Sequence, residues 1–167
     1  DIGAMTVFLY CWREREMVLD LNEEISGVRM MTSYIRIGGV AKDATRPWLD
    51  GIHDFIDYFP PKVDEYELLL TKNPIWMDRT QGIGVFSREE AINWSLSGPA
   101  LRASGVNWDI RKSRPYSGYE KYGFDVPVYK GGDIYDRYRV RIEEMRQSRK
   151  IINQAIQKLP TGDYKTP

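Results

Sequence analysis

Three long stretches of this chain carry apolar residues at three-and-four spacing, a pattern that only an α-helix gathers onto one face. From about Ala4 to Ser26 no proline occurs, good helix formers dominate, and Gly27 supplies a C-terminal stop. The first half of that stretch, Met5 to Trp12, is apolar on all sides, whereas the second keeps Met17, Val18, Leu21 and Ile25 on one stripe among charges. The first half is therefore expected to be buried and the second to lie along a surface. Pro47 opens the next stretch, with Trp48, Leu49, Ile52, Phe55, Ile56 and Phe59 in register. Pro60-Pro61 then interrupts it ahead of a run from Val63 to Leu70. A kinked or broken helical pair is the expectation. Asp133 can cap the last helix, which carries Ile134, Tyr138, Ile142, Met145, Ile152, Ile156 and Leu159, with the spacing broken at Ser148 and Arg149 and an end near Pro160.

The connections are less regular. Residues 28 to 45 keep no helical period and read as extended and irregular up to and beyond Gly38-Gly39. Asn73-Pro74 is a cap and first turn for a short helix over Ile75 to Thr80, and Ser87-Arg-Glu-Glu90 is a capping box for another through about Leu96. Gly98 to Gly132 is rich in Gly, Pro, Tyr and Arg, with a short strand candidate at Phe124 to Tyr129, and Thr161 to Pro167 reads as a tail. With 167 residues, 42% of them hydrophobic, the chain can build one sizeable core. The fold class is mainly α: one multi-helical body with long irregular segments and at most a short β element.

Charge and motif chemistry exclude much. Lys plus Arg equals Asp plus Glu at 24 each, so no net field draws the chain to nucleic acid or to an anionic membrane. A single cysteine, Cys11, rules out an internal disulfide and any all-cysteine metal cluster built from this segment alone. No apolar run approaches the ~20 residues of a membrane span. Gly82-Ile-Gly84 lacks the third glycine and the βαβ setting of a dinucleotide loop, and reads as a turn. His53 has no serine or cysteine partner near it in sequence and reads as a surface residue. Arg13-Glu-Arg-Glu16 reads as a solvated or paired face worth roughly a few tenths of a kcal/mol per pair. The arginines at 102, 111, 114, 137, 139, 141 and 146 lie among tyrosines and acids, which favours buried ion pairs and an interprotein surface over single-strand binding.

Several strings, in this order, carry a resemblance. They are Asp1-Ile-Gly-Ala-Met-Thr, Arg13-Glu-Arg-Glu, Ser26-Gly-Val-Arg-Met, Tyr34-Ile-Arg-Ile-Gly-Gly-Val, Gly98-Pro-Ala-Leu-Arg-Ala-Ser-Gly-Val-Asn-Trp-Asp-Ile-Arg-Lys, Phe124-Asp-Val-Pro, and Gly132-Asp-Ile-Tyr-Asp-Arg-Tyr followed by Arg141-Ile-Glu-Glu-Met-Arg-Gln-Ser. Together they resemble the quinone-site subunit of respiratory complex I, proton-pumping NADH:quinone oxidoreductase, a relative of nickel-iron hydrogenase large subunits. The resemblance covers essentially the whole chain but only the middle of that subunit. The abrupt start at Asp1 likewise reads as an internal piece, so residues 1–167 are expected to be part of a single larger domain.

The resemblance implies a helical body beside a small subunit that holds the terminal tetranuclear iron-sulfur cluster, with the quinone chamber between them. Asp1 matches an aspartate paired with a histidine that precedes this segment, orienting it and favouring its protonated form. A carboxylate beside an imidazole does raise the imidazole pKa. Phe8 and Trp12, one turn apart, match positions near the chamber, and Arg36 resembles an arginine near the cluster. Met31 stands where many members carry a histidine that gives the cluster potential its pH dependence, and a thioether takes up no proton.

The same resemblance implies that no cofactor is bound by this chain, with quinone as substrate and NADH and FMN on other subunits. Its implied partners are the other complex I subunits, and its implied place is peripheral, on the cytoplasmic face of the bacterial inner membrane or the organellar equivalent. Two rivals stay open. One is a membrane-bound hydrogenase-type large subunit whose nickel-ligating cysteine pairs fall outside this window, and the other is a non-catalytic helical interaction domain.

Overall fold

The computed structural model describes residues 4–166. Helix α1 spans Met5–Ser26 and stops at Gly27, whose left-handed backbone (φ 82°) returns its N–H to the Glu23 carbonyl. The chain then turns through a two-residue hairpin, β1 (Ile35–Arg36) and β2 (Gly39–Val40), antiparallel with Ile35 opposite Val40 and Arg36 opposite Gly39. Helix α2 covers Arg46–Leu70, with Thr45 as its cap. Short helices α3 (Pro74–Thr80), α4 (Arg88–Asn93), α5 (Gly98–Ala103) and α6 (Ile110–Ser113) follow, and α7 runs from Ile134 to Gln157 behind its Asp133 cap.

The expected break in α2 does not occur. Proline has no N–H to offer the carbonyl four residues back, which for Pro60 is that of Ile56. Arg149 on α7 takes its place, its Nε donating to Ile56 O at 2.7 Å. Buried residues on both sides of the proline pair, Phe55 and Ile56 before it and Val63, Tyr66 and Leu70 after it, hold the two halves on one axis. Charge assists, because α2 is acidic where α7 is basic: Arg146 reaches Asp64 at 2.9 Å and Glu67 at 2.5 Å.

Helix α2 packs against α1 on one side and α7 on the other. The core sits where all three meet: Val7, Val63, Tyr66, Leu70 and Ile142, ringed by Tyr10, Phe59, Trp76, Tyr138 and Met145. The first half of α1 is not buried as expected. Val7 is covered, but Met5, Phe8, Leu9 and Trp12 are between 44% and 57% exposed. Along its length α1 packs chiefly on α2 and meets α7 at the core, so a helix apolar on all sides keeps an outward face uncovered.

The strand expected at Phe124 to Tyr129 is also absent. Pro127 removes a ladder N–H there, and the segment is hooked to its neighbours instead. The side chain of Gln147 on α7 accepts Asp125 N at 3.0 Å, and Tyr129 N donates to Arg102 O at 3.1 Å. The β element forms at 35–40, inside the stretch expected to be irregular. The segment 161–166, read as a tail, returns to this hairpin: Val40 N donates to Tyr164 O at 3.1 Å and Thr166 N to Gly38 O at 2.8 Å. The Gly82-Ile-Gly84 turn does form, and it is pinned to the start of α7, where Asp133 accepts Gly82 N and Arg137 donates to Gly84 O, each at 2.8 Å.

Candidate functional site

Phe8 and Trp12 lie on the outward face of α1, edge to face, with ring centroids 5.9 Å apart. The Arg15 guanidinium stacks over Trp12 at 4.7 Å and its Nη2 reaches the Met30 sulfur at 3.4 Å, joining this aromatic face to the loop that follows α1. Arg29 ties the same loop back onto α1 through Glu16, Asp20 (2.5 Å) and Glu23 (3.5 Å). One arginine among three carboxylates forms a network, which holds geometry better than an isolated surface pair. Beyond it Met31 stands 90% exposed with φ 56°, a left-handed conformation that strains any side chain other than glycine.

Arg36 is on the hairpin, and it donates from Nε to Ser33 O at 3.0 Å. It forms no ion pair among the described residues. Ile35 and Ile37 beside it are almost fully exposed. Phe8, Trp12 and the Met30–Met31 loop therefore form one surface through Arg15, whereas no described contact joins Arg36 to them. Asp1 lies outside the described residues. His53 is exposed on α2.

The charge motif Arg13-Glu-Arg-Glu16 is paired, as expected, through Arg13–Glu14 and Arg29–Glu16, but Glu14 is buried rather than on a solvated face. Glu14 is 3% exposed, and it accepts from Arg13 Nε at 2.6 Å, from Tyr58 OH at 3.1 Å and from Tyr66 OH. Burial pushes this carboxyl up, but Tyr66, Arg13 and Tyr58 outweigh burial and hold it below the ordinary 4.5. Cys11, one turn earlier, has its thiol pushed up by burial and then by the Glu14 charge, which favours the protonated form. The signal was in the spacing. Val7, Cys11, Glu14 and Val18 fall at steps of four, three and four, which puts the carboxylate on the inward stripe.

An apolar trough runs between α1, α2 and α7. Three adjoining hollows of about 390, 190 and 340 Å³ share Val18 and Phe55, with Phe59, Met145 and Ile152 among their walls. None of Phe8, Trp12, Met31 or Arg36 lines it. Among the described residues no group of three or more His, Cys, Asp or Glu side chains is placed to hold a metal ion, and no helix is long and apolar enough to cross a membrane. Arg102 bears out the reading of buried ion pairs, donating to Glu144 on α7 and to Trp108 O at 3.2 Å.

Compared with known families, residues 1–167 match the one described as respiratory-chain NADH dehydrogenase, 49 Kd subunit. The chain belongs to this family. Similar proteins include an NADH-quinone oxidoreductase subunit of Herpetosiphon aurantiacus, 57% identical over 95% of this chain and 38% of the relative. A chloroplastic NAD(P)H-quinone oxidoreductase subunit of Staurastrum punctulatum is 56% identical over 98% of the chain and 42% of its own length. Its counterpart in Thermosynechococcus vestitus is 57% identical with the same coverage. The chain thus spans about two-fifths of the length of the curated relatives it matches. As a segment of the 49 Kd family it is helical, as the resemblance implied, and its outward α1 face and hairpin are among the apolar surfaces left uncovered in the described residues.

Proposed function

We propose that this chain is an internal part of the single quinone-site domain of proton-translocating NADH:quinone oxidoreductase. It forms a wall of the quinone-reduction chamber beside the terminal tetranuclear cluster of a small neighbouring subunit. The match of residues 1–167 to the 49 Kd family carries this reading, and the uncovered aromatic face of α1 supports it, since contiguous exposed apolar residues mark a contact surface. Phe8 and Trp12 then border the chamber, and Arg36 offers its uncommitted charge toward the cluster, where a fixed cation favours the reduced state. Met31 stands near the cluster with no proton to exchange.

Asp1 pairs with a histidine outside this segment, holding its ring and raising its pKa so that it can deliver a proton as quinone is reduced. Electrons arrive from NADH through FMN and clusters on other subunits, and the assembly sits peripherally on the cytoplasmic side of a bacterial membrane or its organellar counterpart. The test is Asp1→Asn in the intact complex. Quinone reduction is expected to fall at least about tenfold, while NADH oxidation by a water-soluble artificial acceptor is retained. Equal loss of both activities, or loss of neither, would refute the assignment.

A further inference from the structure

Gly39 faces Arg36 across the hairpin and Lys165 on its other edge, so one glycine is clasped between the exposed cation and the returning strand Tyr164–Thr166. Two backbone hydrogen bonds close the clasp, Val40 N to Tyr164 O and Thr166 N to Gly38 O, and Thr166 Oγ1 adds a third to Gly38 O at 3.3 Å. The fit leaves no room for a methyl group. A Cβ on Gly39 would strike Tyr164 O and stand 2.7 Å from Lys165 Cα, both backbone atoms, and the φ of +145° suits glycine alone.

The hairpin has little else to rest on. A pair of two-residue strands does not hold its shape in water unaided, and a hollow of about 380 Å³ bounded by Tyr34, Val40, Trp48, Leu159 and Tyr164 separates it from the helices. Within the hairpin the Arg36 side chain is held by Nε to Ser33 O, and where the hairpin as a whole carries that charge depends on the segment behind it.

We propose that Tyr164–Thr166 is a positioning strand for Arg36, setting where that charge stands relative to the redox centre it serves. This rests on the reading in which Arg36 lies beside the terminal cluster.

The test uses the intact complex carrying Gly39→Ala, Thr166→Pro, which deletes the N–H given to Gly38 O, or Arg36→Gln as reference. Two quantities are measured: amide hydrogen exchange of the 34–41 segment and the reduction potential of the terminal cluster. Faster hairpin exchange in both strand variants is expected, with the potential shifted downward in the same direction as in Arg36→Gln although Arg36 is still present. If Gly39→Ala does not assemble, Thr166→Pro decides alone, because it changes only the edge of the clasp. A loosened hairpin with an unchanged potential, while Arg36→Gln lowers it, overturns the positioning role and leaves the assignment of Arg36 standing. An unchanged hairpin in Thr166→Pro overturns it as well. An unchanged potential in Arg36→Gln removes the assignment of Arg36 and this proposal with it.

Discussion

Replacing Tyr66 with Phe removes one oxygen from the centre of the three-helix core and should be felt throughout the chain. Tyr66 is 2% exposed, and its hydroxyl donates to the buried, ionised Glu14. A hydrogen bond to a charged group contributes about 1.5–3 kcal/mol. Arg13 and Tyr58 still serve the other carboxylate oxygen in the variant, so a loss near the middle of that range, about 2 kcal/mol, is expected. For a chain of this size that is a drop in melting temperature of about 4–8 °C.

The pH dependence gives a second readout. The folded pKa of Glu14 lies below the unfolded value, so its contribution is present above about pH 4.5 and is lost as pH falls through the folded pKa. Without Tyr66, burial has one donor fewer against it, so the folded pKa rises toward the unfolded value and the variant loses less further stability on acidification than the parent does. Melting followed by circular dichroism, at neutral pH and at about pH 4, checks both effects. A variant that melts within about 1 °C of the parent, or that keeps the parent's acid profile, refutes the account of Glu14 as a carboxylate held ionised by its donors.

Arg149→Met should cost about 1–3 kcal/mol in denaturant unfolding, because it strips the Ile56 carbonyl of its substitute donor. In a Pro60→Ala background, where the helix supplies its own N–H, the same change should cost much less, and equal costs in both backgrounds would sink the explanation for the unbroken α2. In the intact complex, the terminal-cluster potential should be nearly flat with pH around neutrality, and Met31→His should introduce a slope; a slope near one proton per electron in the parent contradicts the role given to Met31. The chain by itself should not bind a quinone analogue, since Phe8 and Trp12 lie on an open, exposed face; tight binding measured by calorimetry would mean that a quinone site is complete within these residues.

What could be read from the sequence was periodic. Helices α1, α2 and α7 follow from spacing, and the caps at Asn73, Ser87 and Asp133 are all used. What failed depended on contacts from afar. Nothing local in Pro60-Pro61 announces an arginine 89 positions later that satisfies Ile56. Nor does the segment at 164–166 announce that it will pair with Gly38 and Gly39. The family strings were legible because they are long and ordered, but the described site residues they nominate, Phe8, Trp12, Met31 and Arg36, are spread over exposed surface. Glu14 was missed because a charged run was read as a surface when one of its members sits on the inward stripe.

The uncovered face of α1 also bears on how such a protein is supplied in a cell. A chain that turns Met5, Phe8, Leu9 and Trp12 toward water is a target for chaperones, for proteases and for its own copies until something apolar covers that face. Whether that cover lies in the same polypeptide or in a neighbouring one, a copy that never acquires it would be cleared or would aggregate.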